Sequence, residues 1–481
     1  MADRYAPAKI GEPITDADTP ALVVDVAKLM HNIRLMREMV AELHKQHHVP
    51  HHIAIRPHYK THKCLDIALR QLFDRGAGYP HNSAELAASP SSAPAATFTS
   101  GVCCAKLAEC ESIVYGRCSD GTRSWLRSVT SGSVQDEADV HWDILLTNEI
   151  MGKKKMARLA RLLAVMQERA RRVGKAAHGF KIAVDCRAHV DQLADVARTA
   201  GVVLPLYIEL QNGGGRCGVD SAGELVELAK YIKAHPAGTV TFSGIHAYQG
   251  RNQHIRNHAD RVRAVLEGDA TKMVREALGL LKSQGVVAHT DVVPVSGAGT
   301  GTFPLEIASG VFTEIQPGSY AVMDADYLAN ANPSDIISSS RFATSLTVLS
   351  TITSTHASPA RLICDAGLKA VSVETYLPTL VSILPATAKG AQFWRNGDGV
   401  TWKYVSGGDE HGVLVPKNRA DEEQVGPWLR AVSLENLVGG KAVLVAGHCD
   451  PTINMHEHIV ATEDGVVVSD VWNIGGRGVG F

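Results

Sequence analysis

The sequence predicts an α/β fold, with a (β/α)8 barrel of the TIM type followed by a mainly β C-terminal domain. From Ala21 onward, short apolar runs alternate with amphipathic stretches, which is typical of repeated βα units. Ionisable or glycine-rich residues follow several predicted strands, as expected if an active site lies at the carboxyl ends of barrel strands. After about residue 335, strand-forming residues replace the helical periodicity.

The predicted barrel strands are short apolar runs, and Leu22-Val-Val-Asp25 is the first of them. Behind it, apolar residues recur every three or four positions from Leu29 to Leu43, which predicts a helix with one buried face over residues 26–45. Further strands are predicted at 52–59, 142–147, 180–184, 203–210, 240–247 and 292–296, and further helices near 64–72, 156–166, 189–200, 221–234 and 257–284.

The change from helical periodicity to strand-forming residues divides the chain into a barrel domain, residues 21–334, and a β domain, residues 335–481. The segment from Phe342 to Ser354 shows the change, because it is rich in strand formers and lacks helical periodicity. Residues 73–96 and 116–139 break the barrel rhythm and have the composition of loops. We expect both stretches to be excursions from the barrel rim.

The composition is that of an ordinary soluble protein. The 481 residues include 48 basic and 50 acidic side chains, so a strongly basic nucleic-acid footprint is not expected. The chain has no apolar run of about 18 residues, so no membrane span is predicted. Nine scattered cysteines favour reduced thiols, and the N-terminus shows no targeting segment. We therefore expect a cytoplasmic protein.

The end of the second predicted strand carries a cluster of cationic and imidazole side chains. Arg56, His58, Lys60, His62 and Lys63 lie within eight positions. Crowding of cations favours the neutral, nucleophilic form of a lysine, and such an amine forms a Schiff base with a carbonyl group. A solvated lysine without such a role is the alternative interpretation of this stretch.

Two glycine-rich segments follow later strands. Ser296-Gly-Ala-Gly-Thr-Gly-Thr302 offers backbone N–H groups that can turn towards a phosphate, although such a turn is often only a turn. Glu209-Leu-Gln-Asn-Gly-Gly-Gly-Arg-Cys-Gly218 lets the backbone pass close to a flat group and adds the permanent cation of Arg216. A surface arginine capping a turn is the alternative for this second segment.

Four stretches in this order resemble one known family. They are Asp18-Thr-Pro-Ala-Leu-Val-Val-Asp25, Arg56-Pro-His-Tyr-Lys-Thr-His-Lys63, the segment from Glu209 to Gly218, and His448-Cys-Asp450. Together they resemble the D-threonine aldolase and D-serine dehydratase family, which are pyridoxal-phosphate (PLP) enzymes of the alanine-racemase-like fold. The resemblance implies that Lys60 carries PLP and that residues 1–20 pack with the β domain. It also implies a homodimer, since the fold commonly pairs a barrel with a partner's β domain.

The resemblance also implies which residues surround the coenzyme. It places Arg216 near the PLP phenolate oxygen, and it places Tyr248 and His254 around the coenzyme and substrate. Gln211 stands where the family often has an acidic residue, which puts a copied electrostatic role there in doubt. The residues implied to hold the phosphate are Ser296, Gly297, Gly299, Thr300, Gly318, Ser319 and Tyr320.

The segment His448-Cys449-Asp450 suggests a metal site. If the segment is a strand, side chains at positions i and i+2 face the same side, so His448 and Asp450 can reach one ion while Cys449 faces away. In the resembled family, dehydratase members typically carry His-x-Cys here, and aldolase members carry His-x-Asp. A carboxylate favours Mg²⁺ or Mn²⁺ over softer ions, so Asp450 favours the aldolase function.

The function implied is PLP- and divalent-metal-dependent retro-aldol cleavage of a β-hydroxy-D-amino acid, such as D-threonine, to glycine and an aldehyde. His62 is nominated as the general base because it lies two residues from Lys60, with His254 or a metal-bound water as rivals. The alternatives are a D-serine or D-3-hydroxyaspartate dehydratase, a PLP-binding protein without catalytic activity, and a metallohydrolase that uses the histidines without PLP.

Overall fold

The chain divides into two compact units in the computed structural model. The barrel unit comprises residues 33–320, 330–341 and 475–481, and the β unit comprises residues 1–32, 321–329 and 342–474. None of the helices described below is long and apolar enough to cross a bilayer. The structure describes residues 6–74, 97–236, 238–334, 336–384, 394–395, 401–431 and 437–478.

The strands are numbered in chain order through both units. They are β1 Ala21–Asp25, β2 Ile53–Ile55, β3 Thr97–Thr99, β4 Val102–Cys104, β5 Asp143–Leu146, β6 Gly179–Val184, β7 Leu204–Glu209, β8 Val240–Ala247, β9 Val295–Gly297, β10 Glu314–Ile315, β11 Leu346–Ala357, β12 Ala360–Cys364, β13 Thr379–Leu384, β14 Trp394–Arg395, β15 Trp402–Ser406, β16 Gly412–Pro416, β17 Lys441–Val445, β18 His458–Thr462 and β19 Val468–Asn473.

The α-helices follow the same numbering rule, and short 3-10 turns are given by their residues where they matter. The helices are α1 Val26–Gln46, α2 Leu65–Phe73, α3 Leu107–Tyr115, α4 Asp120–Val129, α5 Lys153–Arg172, α6 Arg187–Ala200, α7 Ala222–Lys233, α8 His258–Val262, α9 Asp269–Ser283, α10 Phe303–Ala308, α11 Ala325–Leu328, α12 Arg419–Ala431 and α13 Cys449–Asn454.

The barrel unit is built on parallel strands in the order β3-β2-β10-β9-β8-β7-β6-β5-β4. β3 and β4 are separated by only Ser100 and Gly101, and a parallel bridge between His58 and Cys103 joins β4 to the chain that follows β2. Counting β3 and β4 as one interrupted strand gives eight strands in a closed ring. The predicted (β/α)8 barrel with a mainly β C-terminal domain is therefore confirmed.

The interruption between β3 and β4 depends on a glycine. Gly101 has a φ of 141°, and a Cβ atom there would lie 2.2 Å from the carbonyl oxygen of Asp143. Only glycine accommodates both this backbone angle and this close approach. The chain can therefore bend here and continue the ring on the next strand.

Several details of the barrel differ from the sequence predictions. The run at Ala21–Asp25 pairs antiparallel with β11 and parallel with β18, so it belongs to the sheet of the β unit instead of the barrel. β10 was not predicted, because a strand of two residues gives no periodic signal. The expected loop at 116–139 contains helix α4. Of the other expected loop, residues 75–96 lie outside the described part of the chain.

The β unit contains the second sheet, in the order β14-β13-β17-β11-β1-β18-β19, with β12, β15 and β16 extending it from β11. β1 is apolar because it lies between β11 and β18 and its first four residues are buried. The N-terminal segment joins this unit, since the N–H groups of Gly11 and Ile14 donate to the carbonyl oxygens of Val468 and Val466.

Candidate active site

Lys60 lies just beyond the carboxyl end of a barrel strand, as predicted. The chain leaves β2 and forms a 3-10 turn over Tyr59–Thr61, in which the Lys60 N–H donates to Nδ1 of His58 at 3.4 Å. Tyr59 and Thr61 are buried, whereas Lys60 is half-buried. The turn therefore anchors the backbone on both sides of Lys60.

The cations around Lys60 are compensated by carboxylates, which differs from the crowding that the sequence suggested. Arg56 is buried within the barrel, with its guanidinium 2.6 Å from Asp143 and 2.8 Å from Glu314. Burial raises the pKa of Glu314, but the charge of Arg56 and the hydrogen bonds to the carboxylate together outweigh burial and hold that pKa below its usual range. Lys63 lies 3.7 Å from Glu109.

A cavity of about 160 Å³ lies at the barrel mouth. It combines cationic, anionic and imidazole side chains from the ends of several strands, and Lys60 is one of its walls. Arg216 and Tyr248, both implied by the resemblance, line the same cavity. The complete lining comprises His58, Lys60, Ala105, Thr147, Asn148, Glu149, Glu209, Arg216, Cys217, His246, Tyr248 and Gln316.

Two neighbouring strands contribute a buried ion pair to this cavity. Nδ1 of His246, near the end of β8, lies 3.3 Å from the carboxylate of Glu209 at the end of β7. Burial by itself lowers the pKa of His246, but the charge of Glu209 and its hydrogen bond outweigh burial, so the pKa is raised. Burial, followed by the charge of Glu209, raises the pKa of Glu149 to about 7.

The glycine-rich loop after β7 is ordered by the residue that departs from the family pattern. The side-chain oxygen of Gln211 accepts hydrogen bonds from the N–H groups of Gly213 and Gly215, at 2.8 and 3.4 Å. Gln211 therefore shapes the loop, and it is absent from the cavity lining given above. The guanidinium of Arg216 lies 5.8 Å from the ring centroid of Tyr248, which is within cation–π range.

The predicted phosphate-binding segments lie next to each other. The N–H of Tyr320 donates to Oγ1 of Thr300 at 3.0 Å, which joins the loop after β9 to the 3-10 turn Ser319–Ala321. A Cβ atom on Gly299 would lie 2.6 Å from the amide of Gln253. Among the described residues, no hydrogen bond uses the N–H of Gly299 or Thr300. Two backbone donors thus remain for an anion.

Gly318 connects the second segment to the lysine turn. A Cβ atom at this position would lie 2.2 Å from Oγ1 of Thr61, so glycine is required for this packing. Ser296 is fully buried, and its hydroxyl interacts with Glu314 and Gln316. The structure therefore brings the Lys60 turn and both glycine segments together, with Ser296 below them inside the barrel.

His62 is turned away from the cavity, contrary to the role nominated from the sequence. Its Nδ1 accepts a hydrogen bond from the N–H of Cys64 at 3.2 Å, and its Nε2 lies 3.1 Å from the side-chain oxygen of Gln71. The Gln71 amide donates in turn to the hydroxyl of Tyr320 at 3.2 Å. His62, Gln71 and Tyr320 thus form a buried chain that fastens the lysine turn to the phosphate segment.

His254 lies at the end of the 3-10 turn Arg251–His254 and is half-buried. It follows the segment that carries Tyr248 at the end of β8. It is not among the residues that line the cavity with Lys60. Its neighbour Gln253 is fully buried and holds the glycine loop, because its side-chain oxygen accepts from the N–H of Gly301 at 3.0 Å.

The predicted metal pair lies in the β unit, but not on a strand. β17 ends at Val445, His448 is the N-cap of α13, and Asp450 lies in the first turn of that helix. The argument that positions i and i+2 of a strand share a face therefore does not apply. The structure instead gathers ligand atoms of Asp324, His448 and Cys449 within 4.8 Å of one another, so Cys449 does not face away from His448.

Asp324 orients His448 in this group. One carboxylate oxygen of Asp324 lies 2.8 Å from Nδ1 of His448 and accepts from the N–H of Cys449 at 2.9 Å. The other oxygen accepts from the N–H of Tyr327 at 2.9 Å. A buried carboxylate that holds Nδ1 in this way is the usual companion of a histidine that binds metal through Nε2.

A comparison with known proteins decides the family. The chain is 31% identical to a D-threonine aldolase from an Arthrobacter species over 472 residues, which cover 98% of this chain and 96% of the relative. This chain belongs to the D-threonine aldolase family. It is also 32% identical to a 3-hydroxy-D-aspartate aldolase from Paracoccus denitrificans (strain Pd 1222), over 99% of this chain and 96% of that protein. The chain is accordingly an enzyme of the lyase class.

Family models and solved structures agree with this assignment. The model of the alanine racemase N-terminal domain matches residues 77–326, and that of a putative serine dehydratase domain matches residues 345–462. The crystal structure of D-threonine aldolase from Filomicrobium marinum superposes with a TM-score of 0.69 at 26% identity, covering 99% of this chain and 100% of that one. D-threo-3-hydroxyaspartate dehydratase from Delftia sp. HT23 shares the fold at 20% identity, with a TM-score of 0.60.

Several residues of this family member escaped the sequence analysis. Glu149 lines the cavity, and Asp324 holds His448 although it lies 124 positions before it. Glu149 follows β5 by three residues, so the rule that barrel sites form at carboxyl ends of strands could have indicated it. Asp324 has no such local signal, because its partner is distant in sequence.

Proposed function

We propose that this chain cleaves β-hydroxy-D-amino acids, such as D-threonine, to glycine and an aldehyde, with PLP bound to Lys60 and a divalent cation bound by His448 and Asp450. The observation that carries the proposal is the cavity that Lys60 shares with Arg216 and Tyr248. It lies in a chain whose relatives of about equal length are named D-threonine aldolase and 3-hydroxy-D-aspartate aldolase. A homodimer is part of the proposal.

The residues fit PLP on two independent grounds. A lysine amine borders the cavity, and the unused N–H groups of Gly299 and Thr300 suit a phosphate. The coenzyme, when bound, supplies an electron sink for the electrons of the broken carbon–carbon bond. Arg216 holds a permanent positive charge over Tyr248. This cation favours an anionic ligand.

Proton transfer is not assigned to His62, because its Nδ1 and Nε2 are both engaged within the buried chain. A general base needs a lone pair directed at its substrate. We therefore keep His254, which follows Tyr248 on the same segment, as the proposed base. Because it does not line the cavity with Lys60, its ring has to move towards the cavity to reach a substrate. His62 is instead a positioning residue that holds the turn of Lys60.

The residues of the β unit fit a divalent cation as well. Asp324 already fixes the ring of His448 through Nδ1, so Nε2 is the atom that would bind an ion. Asp450 supplies a carboxylate in the same helical turn. A divalent cation acts as a Lewis acid that lowers the pKa of a hydroxyl group, which suits a substrate with a β-hydroxyl.

The experiment that tests the function is product analysis with D-threonine and the purified, PLP-loaded protein, with and without a chelator. We expect glycine and acetaldehyde, no product from Lys60→Ala, and a loss of product with chelator or in Asp450→Ala. Cys449→Ser is the matched control, because it changes the neighbouring ligand-type side chain and should keep activity. No product from the metal-supplied wild type would overturn the proposal.

Product analysis also separates the two reactions known in this family of folds. The thiol of Cys449 lies in the group with His448, which is the specific observation in favour of a dehydratase. The resembled dehydratase members carry their cysteine two residues after the histidine, where Asp450 stands in this chain. Ammonia and a 2-oxo acid from D-threonine or D-serine, with loss of activity in Cys449→Ser, would assign that function instead.

A further inference from the structure

A second group of ligand-type side chains lies in the barrel unit, outside the group around His448. Asp185 and Cys186 directly follow β6, and His189 lies in the first turn of α6. Glu149 follows β5 by three residues, and Cys217 lies in the loop after β7. Three consecutive parallel strands therefore bring five carboxylate, thiol and imidazole groups to one edge of the sheet.

The ligand atoms of this group are close enough together to converge on a single ion. Those of Asp185, Cys186 and His189 all lie within 4.8 Å of one another, and so do those of Glu149, Asp185 and Cys217. Two ligand atoms bound to one tetrahedral Zn²⁺ at about 2.0–2.3 Å are about 3.3–3.8 Å apart. The side chains therefore have to move by no more than about 1.5 Å towards one another to bind an ion.

The pair of Asp185 and His189 already has nearly the separation that an ion requires. Oδ1 of Asp185 lies 3.0 Å from Nδ1 of His189. Two ligand atoms at about 2.0 Å from a tetrahedral ion are about 3.3 Å apart, so this pair has to open by only a few tenths of an ångström. His189 is buried and held in place, whereas Cys186 is exposed, so an ion can enter from solvent.

The neighbouring triad contains a buried oxygen that a cation would stabilise. Oε1 of Glu149 is buried and has no hydrogen-bond partner among the described residues. Burying an unsatisfied carboxylate oxygen is costly, and a nearby cation lowers that cost. Asp185 belongs to both triads, so an ion on Asp185 would act on Glu149 as well.

We propose that Asp185, Cys186 and His189 bind one Zn²⁺ ion, with water as the fourth ligand and with the side chains of Glu149 and Cys217 as neighbours. A set of thiol, imidazole and carboxylate favours zinc over Mg²⁺. The other carboxylate oxygen of Asp185 accepts from the N–H of Gly218 at 3.3 Å. The ion would therefore fix the end of the loop that carries Arg216, which gives it a structural role.

The test is the amount of Zn²⁺ bound by the PLP-loaded full chain after metal removal and equilibrium dialysis against zinc alone. We expect the double variant Cys186→Ser/His189→Gln to bind about one ion per chain less than the wild type. His448→Ala should keep this ion, and the triple variant should bind neither ion. His235→Gln is the matched control, since His235 contacts Asp191 at 3.3 Å outside the group, and it should bind zinc as the wild type does.

A cobalt spectrum distinguishes the loss of this metal site from a loss of zinc that is caused by misfolding. Cys186→Ser changes one exposed side chain, and it should remove the thiolate-to-Co²⁺ absorption of this site in the His448→Ala background. Cys217→Ser, the other exposed thiol, should keep that absorption. Far-ultraviolet circular dichroism and the coenzyme absorption verify that each variant is folded.

Two results would overturn the proposal: unchanged zinc binding by the double variant, or no zinc and no thiolate absorption in His448→Ala. Both are independent of the aldolase assignment, because they measure bound metal instead of product. If the protein binds this zinc but does not cleave D-threonine, the zinc site is supported and the proposed function is wrong.

Discussion

Both units contain a buried carboxylate that holds an imidazole, and the two pairs differ in where the imidazole points. In the barrel unit, Glu209 and His246 are both buried, with side chains 9% and 4% exposed, and their charges compensate each other in the cavity wall. In the β unit, Asp324 is fully buried, whereas the side chain of His448 is 19% exposed. The imidazole of the first pair is enclosed, whereas that of the second is partly exposed.

The difference follows from the other partners of each carboxylate. Asp324 accepts from two backbone N–H groups as well as facing His448, so its charge is stabilised even when the imidazole is neutral. Glu209 depends more on His246 itself, which raises the pKa of the ring. The same side-chain chemistry thus gives an enclosed ion pair in one unit and an oriented, partly exposed imidazole in the other.

The largest effect on the pH dependence of stability is expected from a buried carboxylate that has no imidazole partner. Glu306 accepts from the hydroxyl of Thr302 at 2.8 Å, its Oε2 has no hydrogen-bond partner among the described residues, and burial raises its pKa to about 7. Its folded-state pKa is above the unfolded value, so stability is lost as pH rises from about 4.5 through about 7, by about 3 kcal/mol. We expect Glu306→Gln to remove this loss.

Urea unfolding at pH 5 and pH 8 measures that effect. Glu306→Gln should be more stable than the wild type at pH 8, and the advantage should shrink at pH 5. Glu276→Gln, an exposed glutamate on α9, is the control and should show no such pH dependence. Equal behaviour of the two variants would mean that Glu306 is not held in its protonated form.

The next largest effect is expected from the orienting carboxylate of the β unit. Asp324→Asn removes the charge beside Nδ1 of His448, so we expect about 10- to 100-fold weaker binding of the divalent ion, with the coenzyme absorption unchanged. Titration calorimetry with Mn²⁺ measures the affinity. Asp365→Asn, a half-buried aspartate that accepts from Thr351 in the same unit, should bind the ion as the wild type does.

Removing the charge of Glu209 should lower the pKa of His246 without unfolding the protein. In Glu209→Gln, the main group that raises the pKa of His246 is gone, so the midpoint of His246 should move down. Nuclear magnetic resonance of ring-labelled histidine follows it, and His246→Gln identifies its signal. An unchanged midpoint would show that Glu149 or Gln316 holds the charge instead.

The smallest effect on kcat is expected for His62, which the sequence nominated as the general base. Loss of a general base costs about 10²- to 10⁴-fold in rate, whereas His62 only fastens the lysine turn to Tyr320 through Gln71. We therefore expect His62→Gln to reduce kcat less than about tenfold, and His254→Gln to reduce it much more. The opposite order would return His62 to the role of base.

The sequence alone determined the barrel and the place of Lys60 at the end of one of its strands. Strands such as β5 and β6 are buried on both faces, so their apolar runs are visible without any structure. Lys60, Arg216 and Tyr248 each follow a strand, and parallel strands bring their carboxyl ends to one edge. The motif order also identified the family, which the comparisons confirmed.

Only the tertiary structure decided which neighbours these residues have. His62 contacts Gln71, and Gln71 in turn contacts Tyr320, so His62 is part of the buried packing around the lysine turn. The spacing of two residues between His62 and Lys60 carries no information about that packing. Asp324 contacts His448, which lies 124 positions later in the chain. β1, predicted to be a barrel strand, pairs with β11 and β18 in the β unit instead. Periodicity reports which face of an element is buried, whereas partners distant in sequence are chosen by how the elements pack.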